Sequence, residues 1–246
     1  MSLLDEVVAA HGGVDGWRAV TALTAHGRFG GLLSARFPGN RMAELTVRVC
    51  PAEQHAVVSG FPRADLRAVF DRGDVRIETV DGELVSARRN ARAAFGGITR
   101  TFRWDALDAA YFAGYACWNY LATPLLLTRE GVTVDEQWRR LDVSFPPDLH
   151  THSPRQTFHV DAAGLVRRHD YVAEPVGRWA RAAQYCDEHR RFGGLVFPTR
   201  RRVLPRGPGG LALPAPVLVA LDIDHIDVER AVEPAAHRRG THISPS

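Results

Sequence analysis

The sequence contains no lysine; all 31 of its basic residues are arginine. That absence removes every chemistry built on an ε-amino group. No Schiff base forms on this chain, no pyridoxal phosphate is anchored, and no P-loop lysine reaches a nucleotide. The arginines are interleaved with acids rather than massed, the net charge is only +3, and RNP and zinc-finger signatures are missing. Nucleic-acid binding is therefore not expected. Cysteine is scarce too: Cys50, Cys117 and Cys186 lie in apolar or strand-like contexts without metal spacing. Reduced, buried thiols and a cytoplasmic location follow as expectations. No window reaches the roughly 18 apolar residues of a membrane span, and the best, YFAGYACWNYLATPLLL, is broken by Asn119 and Pro124. MSLLDEVVAAHGG carries Asp5 and Glu6 where a signal peptide has a cationic start and an apolar core, so none is expected. GxSxG, HExxH, GxGxxG, Walker, EF-hand and paired CxxC motifs are all absent, and no cofactor is expected.

What the chain does contain is alternation. LTAHGRF sets Leu23, Ala25, Gly27 and Phe29 opposite Thr24, His26 and Arg28, and AELTVRV sets Leu45, Val47 and Val49 opposite Glu44, Thr46 and Arg48. DVRIETV, Asp81-Gly82 and ELVSA form the strongest hairpin signal. SLLDEVVAAHGG reads as a short helix with Ser2 as N-cap, and VDGWRAV as a second. Between about residues 90 and 129 the period becomes helical. WDALDAAYFAGYACWNYL is apolar over most of its surface, so that helix must be buried on more than one side. WRRLDVSF, QTFHV, LVRRHDYVAE, AQYCDEHRRF, LVFPTRRRVL and VLVALDIDHIDVE then return to strand patterns.

A long antiparallel meander must curl, because a twisted sheet of this size does not stay flat. The expected fold is mainly β (α+β): a strongly curved antiparallel sheet, half-barrel or open barrel, of about eleven strands with helices plugging its concave face. Residues 1–229 are expected to form one such domain, with the helical insertion at about 90–129. The polar tail from 230 to 246 is expected to be disordered.

AHGGVDGWRAVTALTAHGRFGG near the start, long hairpins, a mid-chain helical insertion and YCDEHRRFGGLVFPTRRRV near the end resemble the LolA/LolB-like lipoprotein-carrier half-barrel superfamily. The resemblance is closest to cytoplasmic, signal-less bacterial members of unassigned function, and it covers most of residues 1 to 229. It implies a half-barrel whose concave cavity takes a hydrophobic ligand.

The candidate site comes from LVRRHDYVAE, which carries charge on both faces. Leu165, Arg167, His169 and Tyr171 share one face; Val166, Arg168, Asp170 and Val172 share the other. Both cannot be solvated, since the sheet needs a core. One polar set must point into the concavity. We take it to be His169 and Tyr171, with Tyr185, Asp187 and His189 from the next strand and Arg201 as an anion partner. A histidine beside a carboxylate is the simplest acid–base arrangement, so His169, Asp187, His189 and Tyr171 are the catalytic candidates. Tyr111, Tyr115 and Trp118 would form an apolar wall, and plain core packing is an equal reading of them. His150 and His152 have H-x-H spacing, but a polar turn before a strand is the commoner meaning, and no metal is expected. His152 is the better ligand-binding candidate of the two. Two functions stay open: binding of a lipid- or polyketide-like hydrophobic small molecule, or a cofactor-independent isomerase, cyclase or lyase of bacterial secondary metabolism.

Overall fold

A computed structural model describes residues 1–36, 43–95 and 103–231. Helix α1 (Leu3–Ala10) and the short α2 (Val14–Arg18) lead into six strands: β1 (Val20–Gly30), β2 (Ala43–Cys50), β3 (His55–Ser59), β4 (Leu66–Asp71), β5 (Asp74–Thr79) and β6 (Leu84–Arg88). Helix α3 (Ala106–Ala122) follows, between 3-10 turns at Ala91–Phe95 and Leu125–Thr128. Then come β7 (Thr133–Gln137), β8 (Arg140–Ser144), β9 (Arg155–Val160), β10 (Val166–Val172), β11 (Arg181–Phe192), β12 (Leu195–Pro205) and β13 (Val219–Arg230).

All the strands join one sheet, in the order 6-5-4-3-2-1-13-12-11-10-9-8-7. Every neighbouring pair is antiparallel. Two meanders therefore meet where β1 pairs with β13, and α3 carries the chain from one sheet edge, β6, to the other, β7. The expectation of about eleven strands is corrected to 13 among the described residues. The shortfall lies in brief segments. HAVVS is five residues, LRAVFD buries Ala68, Val69 and Phe70 in succession so alternation is blurred, and TVDEQ is an edge strand with hardly a buried residue. At the far end β13 runs to Arg230, and the Ala231 amide donates to the Ala19 carbonyl at 3.0 Å. Residues 230 and 231 of the expected tail are thus tied to the sheet, and 232–246 lie outside the described residues.

Helix α1 starts on the Ser2–Asp5 capping box, with Val7 and Val8 turned inward. Glu136 accepts from the Leu3 and Leu4 amides at 2.8 and 3.0 Å, which ties the helix to β7. Helix α3 has an equivalent Asp105–Asp108 box, and Arg88 on β6 reaches both carboxylates at 2.7 and 2.6 Å. Every residue of α3 from Asp108 to Ala122 is buried, which is why aromatic residues occur all round it. The helix lies on the concave side of β2 to β6. It packs tightly on β4 at Gly114, where an added Cβ would overlap the Phe70 Cβ and stand 2.9 Å from Phe70 Cγ.

Replacing Gly114 by alanine sets two effects against each other. Alanine favours the helix by about 1 kcal/mol, but overpacking a close-packed contact costs about 1–3 kcal/mol, and the atoms it meets sit next to the β4 backbone. Gly114→Ala is expected to lower the denaturant midpoint. A midpoint at or above that of the unaltered protein would show that α3 does not press on Phe70.

Candidate functional site

β10 divides its polar groups between its two faces, charged on one and neutral on the other. On the convex side Asp170 is buried by the groups that pair with it: Arg168 at 2.6 Å, Arg206 at 3.2 Å and His159 at 3.3 Å. Burial alone would push the Asp170 carboxyl up. The hydrogen bonds from His159 and Arg168 and the nearby positive charges outweigh it and hold the carboxyl below its ordinary range.

The concave side carries the neutral groups. His169 stacks on Phe158 at 4.1 Å and 10°, with Nε2 2.5 Å from Gln156 Oε1. Gln156 donates its own NH2 to the Ser153 carbonyl at 2.8 Å, so its Oε1 accepts and His169 carries a proton on Nε2. Tyr171 stacks on His152 at 3.8 Å and 5°. Both His152 nitrogens lie 3.1 Å from hydroxyls, Nδ1 from Tyr115 and Nε2 from Tyr120, while the Tyr120 and Tyr171 hydroxyls are 3.2 Å apart. Arg201 sits over the Tyr120 ring at 4.9 Å and donates to the Tyr120 carbonyl at 2.9 Å and to Gln184 Oε1 at 3.2 Å.

Burial sets the protonation of this cluster. It pushes the His152 pKa well below the imidazole range, aided by His169 and Arg92. It takes His169 down to about 3, with the Arg201 charge adding to the effect. It pushes the Tyr115, Tyr120 and Tyr171 hydroxyls upward. At neutral pH the imidazoles and phenols are all uncharged. The adjoining cleft beside His11, His169, Cys186 and Arg201 offers about 10 Å³, room for about one water and no substrate.

Of the expected inward set, His169, Tyr171, His152 and Arg201 are brought together, with Tyr115 bonded to His152. Tyr111 and Trp118 are buried in the same packed interior, where Trp118 donates to the Cys50 carbonyl at 2.8 Å. Tyr185 and Asp187 are corrected to the other face. His169 pairs with Gln184 and Tyr171 with Ala182, so the inward residues of β11 are Ala182, Gln184 and Cys186. Asp187 is half exposed and lies 3.5 Å from Arg167, and Tyr185 lies under the Arg168 guanidinium. The left-handed Glu188 (φ 53°) breaks the alternation, which leaves His189 half-buried at the edge, its ring against His11 at 6.0 Å. Burial takes the His189 pKa down to about 4. The expected His169–Asp187–His189 acid–base patch is therefore not assembled. Tyr120, Gln156 and Gln184 complete the cluster instead.

Sequence reasoning missed the larger feature at one end of the sheet. Beyond α3, the ends of β11, β12 and β13 present Ala182, Val203 and Val219 as the floor of an apolar groove of about 330 Å³. A 3-10 turn (Leu32–Arg36) supplies Leu32 and Leu33 to one wall, and the β10–β11 connector supplies Val176 and Trp179 to the other. Trp179 is 67% exposed and Leu32 58% exposed. Leu213 and Val217 are also exposed close by, hydrogen-bonded through their backbones to Pro205 and Leu32. Arg36, Arg181 and Arg206 line the groove, and no carboxylate does. The one signal for it in the sequence was a tryptophan inside the connector PVGRWARA.

The chain is similar to two solved structures. A LolA superfamily protein from Nitrosomonas europaea matches at a TM-score of 0.49 and 10% identity, covering 94% of this chain and 93% of the other. A DUF1329 family protein from Desulfovibrio piger matches at 0.49 and 11%, with the same coverage. Both likenesses lie in the fold. No family model and no curated protein matches. Among the described residues, no group of three His, Cys, Asp or Glu is arranged to hold a metal, and no helix is long and apolar enough to cross a membrane.

The buried imidazoles have a measurable consequence. In the unfolded chain each titrates near 6.5, whereas folded His169 titrates at about 3 and His189 at about 4. Below 6.5 the unfolded state therefore binds protons that the folded state does not, and stability falls as pH falls toward those lower values. Thermal midpoints measured from pH 7 down to pH 4 should drop, and a His152→Gln/His169→Gln variant should drop less over the same interval. Parallel curves for the two proteins would show that these histidines are not buried in neutral form.

Proposed function

We propose that this protein binds a hydrophobic small molecule, lipid- or polyketide-like in character, in the groove at the open end of its concave face. One observation carries the reading: Trp179 and Leu32 stay largely exposed above a fully buried apolar floor. Contiguous exposed apolar surface is costly in water and marks an interaction site, and the groove volume lies at the lower end of the range for small-molecule pockets. Of the acid–base candidates, His169 and Tyr171 lie in a closed interior with space for about one water, while Asp187 lies on the other face beside Arg167. The three free thiols support a reducing, cytoplasmic setting for this binding.

The neutral fluorophore N-phenyl-1-naphthylamine tests the reading. It should brighten on binding, and Trp179→Ala and Leu32→Asp should each weaken binding about fivefold or more while leaving the fold intact, because both side chains are exposed. Unchanged affinity in both variants, or no binding by the unaltered protein, would sink it.

A further inference from the structure

We propose that the occupant of this groove is an amphipathic anion: an apolar chain ending in a carboxylate that Arg36 and Arg181 receive. The proposal rests on the groove being the binding site and adds the charge of what it binds. The Arg36 guanidinium lies over the face of Trp104 at 5.7 Å, and its Nη1 is buried with no hydrogen-bond partner. Partly buried arginines elsewhere are treated differently: Arg92 holds Glu174 at 2.6 Å, Arg139 holds Glu6 at 2.6 Å and Arg202 holds Asp222 at 2.7 Å. Leaving a buried donor unmade is expensive, so a position that does so without a protein acceptor invites an outside one.

Arg181 begins β11 at the rim of the same groove, exposed and outside ion-pair distance of any acid among the described residues. Arg206, the third guanidinium, already has its charge paired with Asp170 at 3.2 Å through Nη1, although its Nε is likewise buried without a partner. Two free cations therefore face an apolar trough that no acid lines. A carboxylate accepts two N–H groups from a guanidinium fork in one plane, and an apolar wall strengthens that bond by excluding water. A cationic head of the same length would meet only like charge.

The experiment compares decanoate, decanol and decyltrimethylammonium by titration calorimetry. These share a chain and differ in head charge. Decanoate is expected to bind about tenfold or more tightly than decanol, as a charge-assisted hydrogen bond implies, and the cation should bind most weakly. Arg36→Gln with Arg181→Gln should remove the preference, so that decanoate and decanol bind this variant with equal affinity. Equal binding of decanoate and decanol overturns the anion proposal while the groove stands. No binding of any decyl probe also overturns it, and the naphthylamine result then decides whether the groove reading falls with it.

Discussion

The contact between Gly114 and Phe70 sets how deep α3 sinks into the curved sheet, and much of the interior follows from that depth. A helix lodged this closely buries its polar atoms along with its apolar ones, and each must find a partner away from water. Asp108 finds Arg88, the Trp118 indole finds the Cys50 carbonyl, and Asn119 donates to the His150 carbonyl at 3.0 Å. The phenols of Tyr115 and Tyr120 meet the two nitrogens of His152. The polar cluster around His152 is thus what a sunken aromatic helix requires. Its imidazoles are neutral, and of its buried polar atoms Gln184 Nε2 and Arg201 Nε are left without a partner.

Particular residues show where the sequence was legible. The capping residues, the buried helix and the antiparallel alternation depend on neighbours a few positions apart, and these agree with the structure. His169 and Tyr171 face inward because Arg168 and Asp170 satisfy each other on the outside, a choice visible in the charges themselves. The parity of β11 was not visible. It depends on the connector over 173–180, and one residue more or fewer there would exchange Gln184 and Cys186 for Tyr185 and Asp187. Glu188 then adds a second break with its positive φ, which no side-chain pattern announces. Short strands such as β3 and β7 offer too few residues for a period to emerge.

Charge is distributed by surface. The convex face is laced with exposed arginine–carboxylate pairs such as Arg48–Glu229 and Arg200–Glu188, of a kind that adds little to stability. Their effect is on solubility and strand register more than on stability. The concave interior carries neutral hydroxyls and imidazoles with Arg201 held by carbonyl and amide oxygens. The groove combines guanidinium groups with bare apolar walls.

The position of that groove follows from helix length. Seventeen residues make a helix about 25 Å long, and with strands about 4.8 Å apart it spans about five of them when it runs across the sheet. Its neighbours are indeed β2 to β6. The other half of the concave surface needs other cover. Helix α1 docks near β7 and β8, and the segment bearing His150 and His152 fills the space beside α3. Nothing among the described residues closes over the ends of β11 to β13. Solvent at such an opening favours polar side chains, yet the chain puts Leu32, Trp179 and Val217 there and keeps Ala182 and Val203 beneath them. An opening left by geometry alone would be polar. An apolar one with unpaired arginines at its rim is the feature that the proposed ligand would occupy.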